Sequence, residues 1–222
     1  MNGVHGKAPV YEQCGNTVLL RAVQRHLPPG GAVLDVGCAS GGLLAALSDD
    51  AGRREGVEVD PVAAAAARGV ADAVHVGSVD DVDLPAGAFD VVVLGDVLEH
   101  LVDPARGLVK VLPCLRPGGA VVVSLPNVAH WSVRLGLLAG RWEYRDSGIL
   151  DDTHLRFFTW TTGRRLVEDA GLSVVERQPI VSGLGAHLGR SLPRPLERGW
   201  QALGRRVPGL LAFQQLLVAR VA

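Results

Sequence analysis

An aspartate set inside an apolar run, with a glycine-rich stretch behind it, is the chemically richest feature of this sequence. The segment reads Val33-Leu34-Asp35-Val36-Gly37-Cys38-Ala39-Ser40-Gly41-Gly42. A glycine-rich turn between a strand and a helix lets the backbone approach a ligand closely. A carboxylate at that point repels phosphate and suits a cationic ligand instead. A dinucleotide fingerprint needs glycine where Ala39 stands. A phosphate-binding P-loop needs a Gly-Lys-Ser/Thr that is missing. A short-chain dehydrogenase needs Tyr and Lys four residues apart, and neither Tyr11 nor Tyr144 has a lysine at that offset. Elsewhere, His130 and His154 lie in a stretch rich in aromatic and charged residues. Imidazole titrates near neutrality, so each is a candidate general base.

These residues need a scaffold, and the hydrophobic pattern supplies one. Short Val/Leu-rich runs alternate with helical patterns, which marks a parallel sheet covered on both faces. Strands are expected at about 32–37, 54–60, 73–77, 89–95, 120–125, 172–181 and 213–221. A helix from about Tyr11 to His26 precedes them. Asp60-Pro61 and Asp103-Pro104 each start a helix, with Asp as cap and Pro at the first helical position; the second is expected to run to about Leu115. Residues 127–160 look irregular, and Thr161 or Thr162 is expected to cap the helix that ends at Gly171. The stretch 182–209 is rich in Pro, Gly and Arg. One domain over 1–222, carrying two insertions, is the expectation.

Bulk properties exclude several classes. The 222 residues are 48% hydrophobic and 20% charged, ordinary for a globular chain rather than a disordered one. A net charge of −1 gives no overall field toward nucleic acid, so no DNA partner is expected and RNA is disfavoured. Lysine appears only at Lys7 and Lys110, an Arg bias that reads as codon usage. Cys14, Cys38 and Cys114 are scattered and fit neither a disulfide framework nor a zinc knuckle. The N-terminus lacks a signal-peptide pattern, and no run reaches the roughly 18 apolar residues of a membrane helix. A cytoplasmic protein without stable membrane insertion is expected.

The segment around Asp35 resembles the first motif of the class I S-adenosylmethionine-dependent methyltransferases. The similarity continues through Gly56-Val57-Glu58-Val59-Asp60-Pro61, Phe89-Asp90-Val91-Val92-Val93, Asp96-Val97-Leu98-Glu99-His100-Leu101 and Leu115-Arg116-Pro117-Gly118-Gly119. It spans roughly residues 30–125. The fold it implies is a Rossmann-like, mostly parallel sheet of seven strands flanked by helices, the last strand antiparallel. The cofactor it implies is S-adenosylmethionine (SAM). Gly37, Cys38 and Gly41 would border its methionine part, and Asp35 its amino group. Glu58, followed by Val59, would accept both ribose hydroxyls. Many relatives have an aspartate against adenine where this chain has Ser78, so Ser78, the backbone of Val79 or Asp80 would take that part. Gly95 and Asp96 would line the cleft.

Segments like Asp96–His100 bind a divalent metal in some methyltransferases, where Asp96, Glu99, His100 and His130 would be the ligands. In metal-free relatives the Glu-His pair packs the helix start, and no metal is expected here. His100, His130 and His154 are the candidate catalytic groups. The resemblance implies methyl transfer to oxygen or nitrogen of a small molecule. The His154–Thr159 stretch is similar to a subgroup found near bacterial glycan and natural-product genes. Rival readings are a metal-assisted RNA or quinone-precursor enzyme, and a catalytically silent scaffold. The Arg-rich, amphipathic stretch Arg190–Arg206 reads as a substrate cover or homodimer contact, with a membrane surface as the lesser alternative.

Overall fold

A computed structural model describes residues 9–187 and 189–221. Seven strands form one sheet in the order β3-β2-β1-β4-β5-β7-β6. They are β1 (Gly31–Val36), β2 (Ala51–Glu58), β3 (Ala73–Val76), β4 (Phe89–Gly95), β5 (Leu115–Pro126), β6 (Leu172–Ile180) and β7 (Gln214–Val221). Neighbours from β3 through β5 pair in parallel, whereas β7 runs antiparallel to both β5 and β6. The Rossmann-like arrangement with a reversed last strand is thus present.

The central strands are apolar on both faces because both faces are covered. Leu34, Val36, Val92, Leu94, Val121 and Val123 pack on one side, with Leu108 and Val111 of α4 (Pro104–Val111) and Val167 of α6 (Trp160–Asp169). Val33, Val91, Val93 and Val122 face the other side, against Leu19, Ala22 and Val23 of α1 (Pro9–His26) and Leu44 of α2 (Gly42–Ala46). Asp60 caps α3 (Pro61–Ala67) by accepting the Val62 N–H, and Asp103 caps α4 by accepting that of Arg106.

Several local expectations need correction. The helix after Asp103 stops at Val111 and tightens into a 3₁₀ turn over Leu112–Cys114, where Pro113 has no N–H to continue the ladder. Residues 131–138 of the stretch expected to be irregular form α5 (Trp131–Leu138). Its period is masked because Leu135 and Leu138 point to solvent, and its cap is a histidine side chain. The cap of α6 is Thr159, not Thr161 or Thr162. Thr159 accepts the Thr162 N–H while the Thr162 hydroxyl accepts the Thr159 N–H, a reciprocal box. The 182–209 stretch contains α7 (Leu184–His187) and α8 (Arg194–Arg206), the latter along the stretch expected to be amphipathic, and α9 (Pro208–Leu211) begins at its end.

Candidate active site

Two buried carboxylates stand side by side at the ends of β1 and β2. The strands pair Asp35 with Gly56 and Val36 with Val57, which brings Glu58 beside the turn leaving β1. Gly37 and Cys38 both donate to the Val57 carbonyl. Glu58 accepts the Ala39 N–H on Oε2 and the Asp60 N–H on Oε1, each at 2.8 Å. The turn needs left-handed backbone at Gly37 (φ 72°), Ala39 (φ 46°) and Gly41 (φ 85°), so the Glu58 bond holds its least favourable member. A Cβ on Gly37 would meet Val97 at 2.7 Å, and one on Gly41 would meet Val70 at 2.6 Å.

Burial, then repulsion from Glu58, pushes the Asp35 carboxyl up to about 7. An acid held against its preference for charge suits a cationic guest. Cys38 packs under the turn, and burial pushes its thiol up to about 12, so it is an inert packing group. On the far side of the turn, Val59 is exposed, Val79 is buried in the core, and the Ser78 hydroxyl accepts the Asp80 N–H at 3.3 Å.

β4 ends at Gly95, and Asp96, the next residue, is also in the left-handed region (φ 54°). Its Oδ1 accepts from the Ser124 hydroxyl at 3.0 Å and from Gln214 Nε2 at 2.6 Å, and its N–H donates to Ser124 Oγ at 3.0 Å. Burial raises the Asp96 carboxyl above its ordinary range, and the two donors partly oppose this. Sequence reasoning passed over Gln214, although an amide in an otherwise apolar strand is a signal of a buried polar partner.

The candidate histidines separate into two groups. Glu99, His100 and His154 offer ligand atoms within 4.8 Å of one another; Asp96 and His130 do not join that set. His100 Nδ1 lies 3.2 Å from the Thr153 carbonyl, and His154 Nδ1 lies 3.1 Å from that of Ile149. Burial, then His100, lowers the His154 imidazole below its usual value. His130 is wholly buried and caps α5, its Nδ1 accepting the Ser132 N–H. Burial, then His187, pushes it down to about 4, so it stays neutral.

A cavity of about 680 Å³ opens at the end of the sheet where β6 finishes and β7 begins. Its lining includes Trp131, Ile149, Ile180, Ser182, His187 and Gln214, drawn from both segments expected as insertions. Through Gln214 it adjoins Asp96. None of His100, His130 and His154 lines it, whereas His187, which sequence reasoning did not single out, does.

A parallel sheet with a reversed seventh strand and an acid-latched glycine turn after β1 defines the class I methyltransferase fold. The methyltransferase domain family matches residues 11–177, and the chain belongs to that family. A Burkholderia pseudomallei ubiquinone biosynthesis O-methyltransferase is 30% identical over 186 residues, covering 78% of this chain and 76% of that one. A Mycolicibacterium smegmatis protein named as an S-adenosylmethionine-dependent methyltransferase is 31% identical over 162 residues, or 72% of this chain. The match spans 59% of that longer protein. Among solved structures, the S-adenosylmethionine-dependent methyltransferase of Mesorhizobium loti superposes with a TM-score of 0.63 at 19% identity, covering 98% of this chain and all 100% of the other. The cyclase SpnF superposes about as well, at 0.62 and 21% identity over 99% of this chain and 84% of its own. The fold therefore does not fix the reaction. Among the described residues, no helix is long and apolar enough to cross a membrane.

Proposed function

We propose that this chain transfers a methyl group from S-adenosylmethionine to an oxygen or nitrogen of a small molecule, of the natural-product or glycan kind, seated in the cavity beside Gln214. The observation that carries this is the pairing of Asp35 and Glu58 across the glycine turn, which favours a cationic nucleoside. When bound, S-adenosylmethionine supplies a methyl group already activated by its sulfonium. Asp35 faces the ammonium. Glu58 keeps lone pairs on both oxygens for the ribose hydroxyls while latching the turn. Gly37 and Gly41 bring backbone close to the methionine part, Ser78 and Val79 border the adenine, and Gly95 and Asp96 complete the cleft. The protein's main task is alignment of the acceptor with the methyl group.

Calorimetry with S-adenosylmethionine and S-adenosylhomocysteine tests the cofactor half, and absence of binding by either sinks it. Radiolabelled methyl transfer to any acceptor excludes the silent-scaffold reading. A metal-assisted variant draws support from the Glu99, His100 and His154 set, whose carboxylate and imidazole donors suit a divalent transition metal. Methyl transfer indifferent to chelator removes it.

A further inference from the structure

Ser182 and His187 form a hydrogen-bonded pair in the wall of the cavity. Ser182 Oγ lies 2.6 Å from His187 Nε2, and both residues line the space. The pair is held from behind by α8. Glu197 accepts the Leu184 N–H at 3.0 Å and the Gly185 N–H at 2.6 Å, which fixes the α7 turn carrying His187. Trp200 Nε1 donates to the Ser182 carbonyl at 3.0 Å. The His187 ring stacks on His130 at 5.1 Å and meets the edge of Trp131 at 5.3 Å. Two chemically active side chains, on backbone held by bonds from the same helix, face a space large enough for a small molecule.

We propose that Ser182 and His187 are a proton-accepting pair, so that the acceptor is a hydroxyl compound which loses its proton as it is methylated. This rests on the cavity being the acceptor's seat. An unprotonated amine can attack a methyl group without a base, whereas a hydroxyl needs its proton removed. The acceptor hydroxyl donates its proton to Ser182 Oγ as the Ser182 proton passes to His187 Nε2. The acceptor oxygen keeps the O–H electron pair and forms the new bond to the methyl carbon, and the carbon–sulfur pair stays on sulfur. Serine ends unchanged, and the imidazole ends as imidazolium.

The resting ring must be neutral for this. Burial, the larger cause, lowers the His187 imidazole below its usual value, and Glu197 partly opposes that. The neutral His130 stacks on it from the α5 side, and Arg141, Glu143 and Arg145 line the same cavity. Glu197 is also placed to favour the imidazolium once it forms. The function of the Arg-rich α8 is, on this account, to brace the pair.

The test uses 4-nitrocatechol, whose absorbance reports its own ionisation, added to the full chain with S-adenosylhomocysteine below the free probe's ionisation pH. The wild type is expected to bind the probe and ionise it. His187→Gln and Ser182→Ala should bind S-adenosylhomocysteine within about twofold of wild type and seat the probe, yet leave at least tenfold less of it ionised, with Ser182→Thr restoring the signal. A probe that is bound but remains protonated in the wild type overturns the pair. So does equal ionisation in His187→Gln. If S-adenosylhomocysteine binds but the probe does not, the cavity is not the acceptor's seat and the pair falls with it. If neither binds, the methyltransferase reading itself fails.

Discussion

Glu58 Oε2 accepts the Ala39 N–H at 2.8 Å, tying the end of β2 to the one non-glycine residue that the turn after β1 holds in the left-handed region. The carboxylate that would grip the cofactor's sugar therefore also builds the turn that would receive its methionine part. Removing it should do two things. Glu58→Ala is expected to weaken S-adenosylmethionine binding by about 1–3 kcal/mol, the range for hydrogen bonds to a charged group. It should also speed amide exchange at Ala39. Glu58→Gln should lose less of both, because one oxygen remains as an acceptor. Calorimetry and hydrogen exchange on the two variants check this, and unchanged affinity in Glu58→Ala misplaces the ribose.

The raised carboxyl of Asp35 predicts a pH dependence. A cationic ligand binds the ionised acid better, so affinity for S-adenosylmethionine should rise with pH through about 7, with proton release on binding near that pH. Calorimetry in buffers of different ionisation enthalpy measures the released proton. Stability should move the other way. The folded pKa lies above the ordinary 3.8, so the cost of charging Asp35 grows between about pH 4 and 7 and is fully present above. Asp35→Asn should therefore unfold later in urea at pH 8, by on the order of 2–4 kcal/mol at most, while binding S-adenosylmethionine more weakly. Equal stability of the two proteins at pH 8 rejects the raised pKa.

The elements around the proposed cofactor side were legible because their signals are local. A glycine turn, an Asp-Pro cap and an apolar run each involve neighbours in the chain. Glu58 was picked out by the resemblance of Gly56–Pro61 to a methyltransferase motif, not by a local signal of its own. The proposed acceptor side was not legible in this way. α5 hides its period behind exposed leucines and is capped by His130, a residue with no standing as a cap signal. The Ser182 and His187 pair depends on Glu197 and Trp200 reaching back from a helix that begins after an intervening turn. Gln214 meets Asp96 across 118 residues of sequence, a contact that only the sheet order creates.

The turn after β1 should tolerate no side chain at Gly41. Its φ of 85° is costly for alanine, and a Cβ would sit 2.6 Å from Val70 and 3.2 Å from the Ala67 backbone. Gly41→Ala is expected to lose about 1–3 kcal/mol of stability through strain and overpacking. Gly42→Ala, where a Cβ meets nothing within 4 Å, should be close to neutral. Urea denaturation of the pair separates crowding from a general intolerance of the loop. A neutral Gly41→Ala would mean that Val70 yields freely.

Asp96 is half-buried, raised, and relieved by two donors, so the worth of each donor should depend on whether the acid is charged. Gln214→Leu keeps the bulk on β7 but removes the 2.6 Å bond to Asp96 Oδ1, leaving Ser124 as the other donor. The carboxyl is then expected to rise further. At pH 8 the variant should be less stable than wild type by about 1.5–3 kcal/mol, the range for a hydrogen bond to a charged partner. As pH falls and Asp96 takes a proton, the lost bond matters less, and the gap should narrow. Denaturation curves at pH 8 and pH 5 measure this directly. A gap that stays constant, or widens toward acid, would show that Gln214 contributes packing alone and that Asp96 carries no charge for it to stabilise.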